Sequence, residues 1–274
     1  MSKIIVISPK GGVGKSTFCF QFLAPYLFNR DKKELKIIDL DNANSEGKIY
    51  TKSDLFFSES ISVNKIDPII AVSEGNLIID SGAAKLAKET IEKIDEINLI
   101  ENIDLFCIPL TRGKQANASA LKMYDIIKEL KPEAKICFVL SDCYDEEDVP
   151  LEMQFVKFLG DKKHILSAMP EKEIGDFDKL KEKDPNVSWI AVPDSPCIYW
   201  VSEFGMTAYE FANKLQTLEQ KQKELAAEVS KNPDKKIEFR TSTYKVMLAK
   251  KCRNFRKKVL EENFFNEFKK ILGD

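Results

Sequence analysis

Short continuous apolar runs alternate with longer amphipathic stretches along most of this chain. Ile4-Ile-Val-Ile7 is apolar throughout, which suits a strand buried on both faces of a parallel sheet. Leu35 to Asp41, Asn76 to Asp80, Ile103 to Ile108 and Lys135 to Leu140 repeat the pattern. Between them, Ser16 to about Asn29, Ala83 to Ile100 and Gly113 to Leu130 carry helical spacing. Pro25 interrupts the first of these helices and is expected to kink it. Strands alternating with helices of this length predict an α/β fold, a mostly parallel sheet with helices on both faces and right-handed crossovers. Residues from about Ser53 to Ser73 show no clear pattern.

Beyond the fifth strand, Asp145-Glu-Glu-Asp148 and Pro150 mark a loop and Leu151 to Leu159 a short helix. His164 to Met169 and Trp189 to Val192 read as further strands, and Glu203 to about Val229 as one long helical stretch. Asn232-Pro233-Asp234 breaks it, giving an expected division into a domain at 1–230 and a helical extension at 231–274. The extension carries two apolar stripes. Leu248, Cys252, Phe255 and Val259 form one, and Leu260, Phe264, Phe268 and Ile271 the other. At 100° per residue they lie roughly 140° apart, so two helices, or one packed on two sides, are expected.

Charge sharpens this division. The net charge is −2, yet residues 231–274 hold 13 Lys/Arg against 6 Asp/Glu, while the preceding 230 hold 29 against 38. A basic appendage with its own partner is implied. Lys250, Lys251, Arg253, Arg256, Lys257 and Lys258 fall within nine positions. They suit nonspecific DNA through phosphate neutralisation, an anionic membrane surface, or simple packing on the acidic body, with DNA favoured. The six cysteines are scattered without a Cys-x-x-Cys pair, which points to reduced, buried thiols. No apolar run reaches membrane-spanning length and the N-terminal run is too short for a signal peptide, so a cytoplasmic protein is expected. His164, the only histidine, has no ligand or nucleophile partner nearby in sequence.

The chemistry gathers after the first strand. Pro9-Lys-Gly-Gly-Val-Gly-Lys-Ser-Thr17 supplies Gly11, Gly12, Val13 and Gly14 for a loop whose amides can cradle phosphate at a helix start. Lys15 adds a charge for the β- and γ-phosphates, and the Ser16 hydroxyl suits Mg²⁺. Pro9 stands where the ordinary phosphate-loop template has its upstream glycine, and Lys10 is an additional lysine. Ligands of open α/β sheets bind at the carboxyl ends of strands, so Asp39, Asp41 and Asp80 are expected near Lys15, with Asp80 as a Mg²⁺-holding carboxylate.

Lys10 to Thr17 resembles the deviant phosphate loop of the ParA/MinD group of ATPases. The likeness is clearest at residues 3–17, fair at 35–41 and 76–82, and thin up to about 200. It implies ATP and Mg²⁺ as cofactors and a homodimer formed on ATP binding. Lys10 would reach across that dimer to the partner's phosphates, Asp41 would position the attacking water, and Asp39 would support the Mg²⁺ shell. Pro193 and Asp194 match a later loop whose backbone borders the base, while Ser141-Asp142 replaces the usual adenine-reading asparagine. A carboxylate there either accepts from a guanine edge or caps the next turn; ATP remains the favoured nucleotide. The expected role is plasmid or chromosome partition with a centromere-binding adaptor. The rival roles are a MinD-like membrane-associated ATPase that positions conjugation or secretion machinery, and a metabolic enzyme on the same scaffold.

Overall fold

The computed structural model describes residues 1–40, 46–66, 70–71, 73–83, 85–143, 149–160, 174–229 and 231–273. The expected strand at His164–Met169, the loop at 145–148 and Asp41 lie outside the described residues. Two compact units are present, and they divide differently from the expected break at 230/231. The first comprises Met1–Gly47, Leu55–Asp194 and Glu267–Asp274; the second comprises Lys48–Asp54 and Ser195–Asn266.

The first unit is built on a seven-stranded, wholly parallel sheet. Its strands are β1 (Lys3–Val6), β2 (Leu35–Asp39), β3 (Phe56–Ser60), β4 (Leu77–Asp80), β5 (Leu105–Leu110), β6 (Ile136–Cys143) and β7 (Val187–Pro193). The spatial order is β3-β2-β4-β1-β5-β6-β7. Ile4, Ile5 and Val6 are fully buried because β1 is central, flanked by β4 and β5. β3 is the strand the hydrophobic pattern does not announce. It lies at the sheet edge and buries only Phe56 well, with Phe57 58% exposed, and Lys36 of β2 pairs with its Glu59 at 2.9 Å. Edge strands need no continuous apolar run.

Helix α1 (Lys15–Phe18) passes through a π-helical segment, Cys19–Leu23, into α2 (Ala24–Asp31). Pro25 sits at the start of α2, so the change in winding lies where Pro25's missing N–H was expected to kink the helix. Helices α3 (Lys85–Glu96) and α4 (Lys114–Leu130) match the two expected amphipathic stretches with slightly later starts. The expected 151–159 helix is two short turns, Leu151–Gln154 and Val156–Leu159.

The N-terminus of β1 is tied down by a polar cluster. Ser2 N–H donates to Asn76 Oδ1 at 2.8 Å, Asn76 Nδ2 donates to Asp31 Oδ2 at 2.6 Å, and Arg30 pairs with Asp31 at 2.8 Å. The Arg30 hydrogen bond, aided by Asn76 and opposed by burial, lowers the Asp31 carboxyl to about 2. The carboxylate of the folded state therefore stabilises the protein above the ordinary aspartate value of 3.8, and this contribution is lost as pH falls through about 2. Asp31→Asn is expected to flatten the stability profile over that window, read as urea midpoints at pH 5 and pH 2.5.

The second unit is helical. The expected helix over Glu203–Val229 begins five residues late: a turn follows α5 (Pro196–Ser202), a helix the sequence pattern does not announce, and α6 (Ala208–Phe211) opens the run. A 3-10 turn, Ala212–Lys214, leads into α7 (Leu215–Val229). The late start has a local cause. Thr207 accepts from Glu210 N–H at 3.2 Å while Glu210 accepts from Thr207 N–H at 3.0 Å, a reciprocal cap. Glu210 also accepts from Asp54 N–H at 2.7 Å and Ser53 Oγ at 3.0 Å, anchoring the 48–54 segment within this unit. Glu210→Ala leaves several buried donors unmet and is expected to cost about 2–3 kcal/mol, measurable by denaturant unfolding.

Asn232 caps the turn Pro233–Lys235, after which α8 (Lys236–Phe255) runs back along α7, with Gln222 to Thr243 at 2.9 Å and Lys250 to Glu219 at 3.2 Å. A nine-residue π segment, Arg256–Phe264, then leads into α9 (Phe265–Leu272). This resolves the two-stripe problem. Hydrogen bonds from i to i+5 bring residues five apart toward one face, so Phe255 and Leu260 are both buried in a single helical run. All six cysteines are buried and unbridged.

Candidate functional site

Each element of the site follows from where its strand ends. β1 delivers the chain at the carboxyl edge of the sheet, between the ends of β4 and β5. The loop that follows turns sharply: Gly12 has φ +69° and Gly14 φ +80°, both in the left-handed region open to glycine. At Gly14 a side chain would also meet Ser141 at 3.4 Å, so this glycine brings the loop against the end of β6. Gly14 then caps α1 with no side-chain bond to the first-turn amides, which leaves the start of the helical run suited to an anion.

Lys15 is 9% exposed, and its ammonium donates to the Lys10 carbonyl at 3.4 Å. The side chain thus folds back over the loop rather than into solvent. Lys10 itself is half-buried, with its N–H donating to the buried Ser8 Oγ at 3.4 Å. Gly11 and Gly12 are exposed, Val13 is packed into the core, and Ser16 and Thr17 are half-buried at the helix start.

Asp39 and Asp80 end adjacent strands in direct register, and Asp80 is also paired in register with Val6 of β1. Both carboxylates are 2% exposed. The fold therefore brings Asp39, Asp80 and the loop to one edge, as their strand-end positions predict. Asp41 lies two residues past β2, outside the described residues. Pro193 ends β7 and Asp194 N–H donates to the Cys143 carbonyl at 3.1 Å, which puts Pro193 and Asp194 beside the end of β6. Asp142, the residue that raised the guanine question, has φ +61° and an ion pair with Arg112 at 2.7 Å. Its carboxylate is engaged by that guanidinium. Sequence reasoning missed Arg112, Ser8 and the Gly14–Ser141 approach: none belongs to a motif, and Arg112 meets Asp142 across 30 residues.

The donor set fits a phosphate chain: glycine-loop amides, an uncapped helix start and a buried ammonium. The acceptor set, Ser16 with Asp80 and Asp39, fits a hard divalent cation. Among the described residues no three His, Cys, Asp or Glu side chains form a metal site on their own. A cation here would complete its shell with phosphate oxygens and water, the habit of Mg²⁺.

The architecture is a parallel α/β sheet with a glycine loop between its central strand and the first helix, at the carboxyl edge. No protein-family profile matches the chain, and no curated protein matches it. Among solved structures, it is similar to the septum site-determining protein MinD of Pyrococcus horikoshii complexed with Mg-ADP (TM-score 0.48, 14% identity, 76% of this chain and 88% of that one). It is also similar to apo McdA of Cyanthece (0.48, 13%, 76% and 91%). A plasmid partition protein of Borrelia burgdorferi bound to AMPPNP aligns with TM-score 0.44 at 14% identity, over 75% of this chain and 90% of that one. At such identities the roles of residues in this chain rest on its own geometry.

The basic cluster of the second unit is partly committed to its own fold. Lys250 pairs with Glu219, and Lys251 sits 4.9 Å from the Trp200 ring. Arg256 lies 4.0 Å from the Tyr209 ring and binds Asn213 and Glu261, both at 2.7 Å. Arg253, Lys257 and Lys258 are exposed. Among the described residues no helix is long and apolar enough to cross a membrane.

Proposed function

We propose that this chain is a Mg²⁺-dependent ATPase of the ParA/MinD type that pairs with a second copy on binding ATP and acts in DNA partition. The observation that carries the reading is the buried Lys15 ammonium folded over a glycine loop, at the sheet edge where Asp39 and Asp80 end neighbouring strands. Bound Mg²⁺ would supply Lewis-acid stabilisation of charge on the phosphate oxygens. The chain's own contribution is positioning. Loop amides and the helix start hold the phosphates, Lys15 exchanges its bond to the Lys10 carbonyl for a phosphate oxygen, and Ser16, Asp39 and Asp80 orient the cation shell. Asp41, by resemblance, holds the attacking water, and Pro193 and Asp194 border the base.

Lys10 emerges from the loop half-buried at its base, consistent with a role toward a partner's phosphates. Lys10→Ala is expected to leave nucleotide affinity within about threefold while removing ATP-dependent dimerisation. Light scattering with and without a slowly hydrolysed ATP analogue checks this, and unchanged dimerisation overturns the trans-lysine role.

For DNA, the exposed trio Arg253, Lys257 and Lys258 is the electrostatic footprint. Three phosphates neutralised would weaken binding by roughly 40-fold between 50 and 200 mM salt. A salt-titrated binding assay with ATP, ADP and no nucleotide tests this reading. Nucleotide-independent or absent DNA binding argues against this reading, and cosedimentation with liposomes that is lost without residues 231–274 favours the membrane-positioning alternative. A cytoplasmic site of action and a centromere-binding adaptor belong to the same proposal.

A further inference from the structure

Helix α8 carries an exposed apolar seam. Ile237, Tyr244 and Met247 are 76%, 46% and 57% exposed. With the exposed Arg240 and Lys251 they fall at spacings of three, four, three and four residues. At 100° per residue these five positions span an arc of about 80° over four turns. That is the spacing by which one helix receives another, not a scatter of single surface hydrophobes. Helix α5 raises one side of the seam into a wall. The Trp200 ring lies 6.3 Å from Tyr244, and Trp200 and its neighbour Tyr199 are 40% and 59% exposed. Lys251 is held against the Trp200 ring, so the seam ends on an oriented cation.

We infer that this face is a docking seam for an amphipathic partner helix with acidic flanks. Charge decides the occupant: α8 holds six Lys/Arg and a single acidic residue, Glu238. A second copy of the chain, packed in either direction, would bring the cation surplus of one α8 against the same surplus on the other. A DNA backbone would neutralise those cations but leave Ile237, Tyr244 and Met247 without an apolar partner. An acidic-flanked helix satisfies both features, its apolar stripe covering Ile237, Tyr244 and Met247 and its carboxylates facing Arg240 and Lys251. The inference uses none of the nucleotide chemistry, so it stands or falls separately from the ATPase reading.

The test uses the full chain and two synthetic 21-residue helical peptides with the same leucine seam, one flanked by Glu and one by Lys. Tryptophan fluorescence and calorimetry read the binding. The Glu-flanked peptide is expected to bind at least tenfold tighter than its Lys-flanked counterpart, with a change in Trp200 emission. Met247→Asp and, separately, Tyr244→Ala are each expected to weaken it at least tenfold while leaving circular dichroism unchanged. Equal affinity for the two peptides, or binding untouched by both substitutions, overturns the seam. So does a Trp200 response to anionic vesicles or single-stranded DNA with none to the peptide, or a self-association that Met247→Asp abolishes.

Discussion

Lys15→Ala is expected to lower affinity for MgATP by at least about 100-fold, measured calorimetrically, with the fold intact by circular dichroism. Lys15 is a nearly buried ammonium that donates to a loop carbonyl at 3.4 Å, long for a charged donor. That weak internal bond is easily exchanged for a phosphate oxygen. Truncating one member of a desolvated charge pair typically costs 2–5 kcal/mol, and each 1.4 kcal/mol is about tenfold in affinity. The alanine also removes a buried methylene stem, so the denaturant midpoint is read beside the affinity to separate lost binding from lost stability. Undiminished MgATP binding by this variant would remove the basis for assigning the loop to phosphates.

Phe268→Ala is expected to destabilise the first unit by about 3–5 kcal/mol, the usual range for emptying a buried phenylalanine site. Phe268 is fully buried, edge-on to Tyr26 at 5.2 Å and to Phe18 at 6.3 Å. Phe18 ends α1 and Tyr26 lies in α2, so Phe268 packs behind the helical run that follows the glycine loop. Stopping the chain at Asn266 should therefore reproduce the loss seen with Phe268→Ala. Denaturant unfolding of the two variants checks this, and a truncation as stable as the full chain would show that the terminal segment contributes no core. The expectation of a detachable extension from 231 onward points the other way, which makes the measurement decisive.

The central strand, the glycine loop and the carboxylates Asp39 and Asp80 were legible because each combines a buried apolar run with polar residues at its end. Phe56–Ser60 was not, because an edge strand with Phe57 in solvent has no period to detect. The late start of the expected 203–229 helix, at Ala208, was hidden for a different reason: apolar residues continue through Phe204 and Met206, and the reciprocal Thr207–Glu210 cap that starts the helix is a local bonding pattern. The Arg112–Asp142 pair joins residues thirty apart through the β5–β6 neighbourhood, which no window of sequence contains. The tail's two stripes were read correctly as incompatible with uniform α winding, and the resolution lay in backbone geometry instead of a second helix.

That winding sets a tolerance on the length of the chain. Within Arg256–Phe264 the wider turn absorbs an angular mismatch that ordinary coiling would carry forward. Dropping one residue there would let the segment return to regular coiling, the tighter winding offsetting the lost step, whereas an added residue would swing Phe264 by about 100°, out of the packed interior. This stretch should accept many substitutions at its outward positions, Lys257 and Lys258 among them, and the loss of one residue more readily than the gain of one.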